Sequence, residues 1–291
     1  MTHLVPVELS CGDLPELQRL ARACLDRDGG LPMIAGATML SSRLLRDRTM
    51  GLRLPDGTLA AATGISLGQD AATVTGMVHP TMRRRGIGER LLQWAIAQAD
   101  DAALLVETES CSSDAEALYA RHGLVRIFAE TVMRHDLVAV PVIAPPDGVE
   151  VVPVSSASEQ DLFDAYRGSF ADRPGFEEPD AEEWLAELHA DEEWRTDLSL
   201  LATDDRARPI GFVNVLGNWL DQVGVLPGWR GQRLGALLVS RSLRALQTEG
   251  ATEMWLCVNV NNAAEDLYRR LGFTAHGTRA RYAGRRQPAT Q

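Results

Sequence analysis

Only four cysteines occur in the 291 residues, Cys11, Cys24, Cys111 and Cys257, and they are scattered. No CxxC pair and no histidine at metal-ligand spacing accompanies them. A disulfide framework and a zinc site are therefore not expected, and a reducing compartment is. No run of about 18 apolar residues exists, so no segment is expected to span a bilayer. The opening MTHLVPVELS lacks the basic start and apolar core of a secretory signal, and a cytoplasmic protein is expected. Positive charge is in deficit too: 29 basic against 40 acidic residues leave a net charge of −11. That disfavours broad attraction to nucleic acid or to anionic membrane, although a local basic patch can still hold a compact anion.

What remains is the composition of an ordinary folded chain, 45% hydrophobic and 24% charged. The length accommodates two domains of about 100–200 residues each. The sequence itself supports two. MVHPTMRRRGIGERLL begins at Met77, and GVLPGWRGQRLGALLV begins at Gly224. Val78, Pro80, Arg83 and Gly88 match Val225, Pro227, Arg230 and Gly235 at a constant separation of 147 residues. A second element follows each copy: SSDAEALYARHGL from Ser112 and NNAAEDLYRRLGF from Asn261. Its Leu118-Tyr119 and Leu267-Tyr268 pairs are separated by 149 residues. A period this long indicates a duplicated domain rather than a solenoid. Pro141, Pro145, Pro146, Asp147 and Gly148 form a breaker-rich connection, placing the domains at about 1–138 and 149–291. GRRQPATQ at the end reads as a disordered tail.

Apolar periodicity gives each half the same order. In the first, strands are expected at 49–54, 59–66 and 72–78, a helix at 87–99, a strand at 103–107 and a helix at 114–121. In the second, a strand at 149–154 is placed at an edge by Pro153. Helices follow at 159–170 and 182–189, then strands at 198–202, 210–216 and 220–226. A helix at 234–247, a strand at 254–258 and a helix at 263–271 complete the pattern. This describes an α/β fold with a mixed sheet and helices on both faces.

The chemical signal is a strand, a proline, an arginine-rich turn, a glycine and then a helix. A helix start exposes unpaired N–H groups and a partial positive charge. Glycine lets a ligand approach the backbone. The combination suits a pyrophosphate. In the first half it comprises Arg83, Arg84, Arg85, Gly86, Ile87 and Gly88. In the second it comprises Arg230, Gly231, Gln232, Arg233, Leu234, Gly235 and Ala236. No GKS or GKT follows, so it is not a Walker loop, and GxGxxG is absent.

These elements resemble motif A of the GNAT (N-acetyltransferase) superfamily, (Gln/Arg)-x-x-Gly-x-(Gly/Ala) after Val-x-Pro. Asn261, Ala264, Leu267, Tyr268, Gly272 and Phe273 are similar to its motif B helix. The resemblance implies two tandem GNAT folds, each a mostly antiparallel twisted sheet flanked by helices. It also implies acetyl-CoA as cofactor and acyl transfer to a primary amine, with no metal. The strand before motif A would pair with the pantetheine arm through Gln222, Val223, Gly224 and Val225, and through Gly76, Met77 and Val78 in the first half. An N–H on that strand would stabilise the oxyanion. Tyr268 takes the family position of the general acid for the departing thiolate, and Asn261 joins the cofactor set.

Many members carry a glutamate base about six residues before the motif A valine, where this chain has Trp219. Asp221 is the substitute considered, acting through water. Strict alternation would put Trp219, Asp221, Val223 and Val225 on one face. Ala72 and Val74 stand at the matching positions of the first half, which retains Tyr119 but has Ser112 and Leu124 for the asparagine and phenylalanine of motif B. Arg233 replaces the first motif A glycine of the second half. The expectation is a first domain that binds cofactor or is structural, and a second that is catalytic.

Among tandem members, VHPTMRRRGIG, PPDGVEV and SFADRP are similar to mycothiol synthases, which makes the cysteinyl amine of a mycothiol precursor one candidate acceptor among small amines. A noncatalytic acyl-CoA sensor and a peptide or protein N-acetyltransferase are the alternatives. Monomer and homodimer both remain open. The tryptophans of the second half (Trp184, Trp194, Trp219, Trp229 and Trp255) are expected mainly in packing. The acidic stretch 177–193 is expected as a solvated helix face.

Overall fold

The computed structural model describes residues 3–69 and 71–284. From residue 285 on, the expected tail lies outside the described residues. Contacts divide the chain into two units, Met1–Val132 with His276–Gln291, and Met133–Ala275.

The first unit opens with β1 (Val5–Val7), α1 (Leu14–Asp28) and α2 (Ala37–Leu44). α1 starts on a proline in its first turn and buries Leu17, Leu20, Ala21 and Cys24, a helical stripe, before Gly29 ends it at φ 68°. Next come β2 (Arg48–Arg53), β3 (Leu59–Leu67), β4 (Ala71–Val78), α3 (Ile87–Ala99), β5 (Ala103–Thr108), α4 (Ser113–Arg121) and β6 (Val125–His135). The last strand of the chain, β12 (Thr274–Gly284), also pairs here: Ala280–Gly284 run antiparallel to Thr108–Leu104 of β5. The order in this unit is β1-β2-β3-β4-β5-β12-β6. Neighbours are antiparallel through β4, β4 and β5 are parallel, and β5 and β12 are antiparallel. Ala280 and Tyr282 join Tyr119, Leu124 and Val106 in one buried cluster. The observed units thus differ from a linear split at 138 and 149, because residues 276–284 cover the open edge of β5.

The second unit contains β7 (Glu150–Pro153), α5 (Glu159–Phe170), α6 (Ala181–Ala190), β8 (Leu200–Thr203), β9 (Pro209–Leu216), β10 (Trp219–Val225), α7 (Leu234–Thr248), β11 (Met254–Asn259) and α8 (Ala264–Arg270). Its order is β11-β10-β9-β8-β7. Only β10 and β11 are parallel among these pairs. Pro153 sits on the edge strand β7, where a missing N–H costs no ladder bond. The Ser158 hydroxyl caps α5 by accepting from the Asp161 N–H. Asp180 caps α6 by accepting from the Glu182 and Glu183 N–H groups. Glu182, Glu183 and Glu187 are exposed while Trp184 and Leu188 are buried, so the acidic stretch forms the solvated side of an amphipathic helix.

Leu137, Val140, Ile143 and Val149 pack on this unit's core, so the proline-rich connection lies against it. Phe163, Tyr166, Phe170, Trp184 and Phe212 gather on the other face of the sheet, with Tyr166 and Trp184 stacked at 4.5 Å. No helix among the described residues is long and apolar enough to cross a membrane.

Candidate acetyl-donor and acceptor sites

In each unit the two parallel strands part company. β4 and β5 pair from Ala71↔Ala103 to Val74↔Val106 and no further. β10 and β11 pair at Trp219↔Trp255. The edge of β4 beyond Val74, and that of β10 beyond Trp219, is therefore open on the side of the parallel partner. An open edge offers N–H and C=O groups to any extended amide-bearing ligand, as a sheet edge does to an added strand. The expected pantetheine segments, Gly76–Val78 and Gln222–Val225, occupy these open edges.

The divergence begins sooner in the second unit because β10 is bulged. Leu220 faces Val215 while Gln222 faces Asn214, so Asp221 is the extra residue. β3 and β4 pair without interruption. The bulge overturns the simple alternation: Leu220, Val223 and Val225 now share the α7 face. Gln222 and Gly224 face α5, and Asp221 stands apart. Trp219 is stacked on Trp255 at 6.3 Å and 6°, so an aromatic pair fills the place where the motif reading expects a glutamate base.

The turns after these strands have the same backbone. Arg84 (φ 61°) and Gly86 (φ 76°) are left-handed in the first, Gly231 (φ 77°) and Arg233 (φ 65°) in the second. Each turn thus places one glycine and one arginine in equivalent left-handed slots, in opposite order. Arg233 keeps the conformation of the glycine it replaces. Such a turn aims successive N–H groups into one concavity. A Cβ on Gly86 or Gly231 would meet nothing within 4 Å, so the space before both turns is open. Both turns accordingly fit a diphosphate, and acetyl-CoA carries one.

The leading arginines are committed elsewhere. Arg83 Nε donates to the Val78 carbonyl, and its terminal nitrogens grip Asp28 at 2.9 and 2.6 Å. Arg230 repeats this, donating from Nε to the Val225 carbonyl and from Nη2 to Asp172 at 2.9 Å and to the Ser169 carbonyl at 2.8 Å. These side chains tie the turn to the end of the first helix rather than reach outward. Arg84 pairs with Asp114 on the surface. The helix glycines serve close packing: a Cβ on Gly88 would lie 3.2 Å from Leu118, and one on Gly235 3.5 Å from Leu267.

In the first unit these parts enclose a cavity of about 400 Å³. It brings together Gly76, Met77, Val78, Arg83, Arg84, Gly86, Ile87, Gly88 and Tyr119, while Arg85 is not among its walls. It also exposes residues that the motif reading missed: Thr63, Thr75, Thr108 and Glu109. Glu109 is buried and salt-bridged to Arg43 and Arg281 at 3.1 and 2.7 Å. No motif marks it, because its partners are remote in sequence. Burial pushes the Tyr119 hydroxyl far above the usual phenol range.

In the second unit, Tyr268 is buried and packs edge-on against Phe273 at 5.8 Å. Burial pushes its pKa up to about 12, and the nearby Arg173 guanidinium opposes that rise. Tyr268 therefore holds its proton at any physiological pH. Asp221 is exposed at the bulge. Partial desolvation of its carboxylate by the neighbouring chain, reinforced by the negative charge of Asp191, raises its pKa above the ordinary carboxylate range. Asn261 uses its backbone N–H on the Asn259 side chain, and Asn262 rather than Asn261 accepts from the first turn of α8, at Ala264.

Comparison with known proteins agrees with this geometry. Residues 160–273 match the acetyltransferase (GNAT) family model, and residues 56–125 match an acetyltransferase (GNAT) domain model. The mycothiol acetyltransferase of Thermomonospora curvata is 30% identical over 283 residues, covering 92% of this chain and 93% of its own. That of a Nocardioides species is 30% identical over 287 residues, covering 90% and 93%. Among solved structures, a GCN5-related N-acetyltransferase from Sphaerobacter thermophilus superposes with a TM-score of 0.76 at 23% identity, covering 99% of this chain and 97% of that one. A tandem GNAT protein from the clavulanic acid biosynthesis pathway superposes with a TM-score of 0.61 at 20% identity, covering 99% and 100%.

Proposed function

The chain belongs to the GNAT family of acetyl-CoA-dependent N-acetyltransferases, and on that premise we propose that its second unit performs the transfer, to the primary amine of a small molecule. The observation that carries this is the bulge. It sets Asp221, an open stretch of β10 and a protonated Tyr268 in one unit, whereas the uninterrupted β4 presents Ala72 and Val74.

Acetyl-CoA supplies the activated acetyl group. The N–H groups of Gly231–Ala236 receive its diphosphate, and Arg230 holds that turn in shape through Asp172. Backbone donors on β10 between Gln222 and Val225 stabilise negative charge on the acyl oxygen. Asp221, with its raised pKa, takes a proton from the acceptor ammonium through water, the free amine attacks the thioester carbonyl, and Tyr268 delivers a proton to the thiolate that departs. The first unit retains the turn and the cavity, and its role is to hold the cofactor or support the fold.

The two mycothiol acetyltransferase relatives make the deacetylated mycothiol precursor, with its free cysteinyl amine, the leading acceptor. The test is thiol release from acetyl-CoA with that precursor and a panel of simple amines. All 29 basic side chains are arginine, so acetyl label incorporated in such an assay is not drained onto lysines of the enzyme. Transfer to the precursor is expected. Coenzyme binding without transfer to any amine would overturn the proposal.

A further inference from the structure

Two residues in the wall of the first unit's cavity carry a buried side-chain oxygen with no hydrogen-bond partner, Thr75 (Oγ1) and Glu109 (Oε2). The cavity starts at the turn that fits a diphosphate, with Arg84 and Gly86, and continues past Gly76–Val78 to Thr75, Thr108 and Glu109. That inner end is tight: Thr75 and Glu109 are each 2% exposed, and Thr63 is 1% exposed. Glu109 is held in place. Its Oε1 takes Arg43 and Arg281, and its carbonyl accepts from the Leu31 N–H at 2.7 Å. Arg43, Arg46 and Arg281 also grip Glu107. The guanidiniums therefore fix one oxygen of Glu109 and leave the other unpaired, an arrangement that costs free energy unless a ligand supplies a donor. The second unit has no counterpart, since no aspartate or glutamate occurs from Met254 to Ala264, across β11 and the turn after it.

We propose that the first unit is a site for free coenzyme A, the product of the transfer, and that Glu109 and Thr75 discriminate there against the acetylated form. The inference rests on the reading that both turns receive the diphosphate and that transfer occurs in the second unit. An arm laid along Gly76–Val78 ends beside Thr75 and Glu109. A carboxylate oxygen only accepts, a hydroxyl does both, and a thiol is a weak donor and a weak acceptor. The S–H of the free coenzyme gives to Glu109 Oε2, and its sulfur accepts from the Thr75 hydroxyl. An acetyl group presents a carbonyl oxygen and a methyl group, and neither donates. Glu109 Oε2 then stays unpaired and faces a second acceptor. The acetyl group also adds two carbons and an oxygen to an end with little room, which overpacks it. The two units thereby sort the coenzyme by acylation state: the second takes the donor, and the first retains what the reaction releases.

The two sites can be read one at a time. A Cβ on Gly86 or Gly231 meets nothing within 4 Å, and aspartate tolerates the left-handed backbone there, so an aspartate in either turn repels the diphosphate from that unit alone. Calorimetry on full-length Gly231→Asp then reports the first site, with coenzyme A, acetyl-CoA and desulfo-coenzyme A, which ends in a methyl group instead of the thiol, as probes. Coenzyme A is expected to bind at least about fivefold more tightly than either of the others. Adding Glu109→Gln or Thr75→Val is expected to bring all three within about twofold. Glu109→Gln gives up buried ion pairs, so its Tm is read alongside. Thr75→Val removes a hydroxyl that had no partner and is expected to melt with its parent. A Gly231→Asp chain that binds acetyl-CoA as tightly as coenzyme A, or that binds neither, would overturn the inference while leaving transfer in the second unit intact. So would a Thr75→Val chain that keeps the full preference. A Gly86→Asp chain that binds acetyl-CoA but transfers acetyl to no amine would instead strike the transferase reading, and leave the preference of the first site standing.

Discussion

Arg233 holds the left-handed backbone position, at φ 65°, that Gly86 holds at φ 76° in the first unit. A side chain in that conformation costs roughly 1–2 kcal/mol, and glycine returns part of the gain, about 0.5–1 kcal/mol, through its freer unfolded chain. Arg233→Gly is therefore expected to stabilise the second unit by up to about 1 kcal/mol, raising its Tm by about 2–4 °C, with the turn unchanged. Differential scanning calorimetry checks this. A fall in Tm would mean that the Arg233 side chain has a stabilising role.

The Asp221 carboxylate must be ionised to accept a proton. Burial and the charge of Asp191 both raise its pKa. The acid limb of kcat/KM is thus expected at higher pH than the ordinary aspartate value of about 3.9. Asp191→Asn removes a like charge, lowers the Asp221 pKa and should carry the acid limb to lower pH. Asp221→Asn should cost about 10²–10⁴ in kcat/KM, the usual worth of a general base. A pH–rate profile unmoved by Asp191→Asn would assign the limb to another group.

Close packing distinguishes the two pantetheine strands. At Gly224 a Cβ would lie 2.4 Å from Phe212 Cε1 and 2.6 Å from Ser169 Cβ, whereas at Gly76 the nearest atom is 3.5 Å away. Gly224→Ala must push α5 off the sheet and is expected to destabilise by about 1–3 kcal/mol. Gly76→Ala should be near neutral. Urea unfolding of the two variants measures the difference.

Much of this architecture is legible in the sequence. The helices Ile87–Ala99 and Glu159–Phe170 end where periodicity and punctuation put them, and the duplicated proline–arginine–glycine turn marks both strand-to-helix junctions. The bulge at Asp221 is not legible. It has no glycine or proline signal, and it emerges only from the register against β9, so alternation alone put Val223 and Val225 on one face with Asp221. The ion pairs of Arg83 with Asp28 and of Arg230 with Asp172 are not legible either, because those partners lie more than fifty residues earlier in the chain. Nor does local pattern disclose that β12 pairs with β5, since sheet membership is decided by a distant edge that needs covering.

Two tyrosines at equivalent motif positions allow the assignment of chemistry to the second unit to be tested most directly. Acetyl transfer under saturating acetyl-CoA should fall by about 10²–10⁴ in Tyr268→Phe, as expected for loss of a general acid, and stay within about twofold of wild type in Tyr119→Phe, since a buried phenol remote from the transfer contributes packing alone. A transfer rate that collapses in Tyr119→Phe and survives in Tyr268→Phe would contradict the account and move the reaction to the first unit.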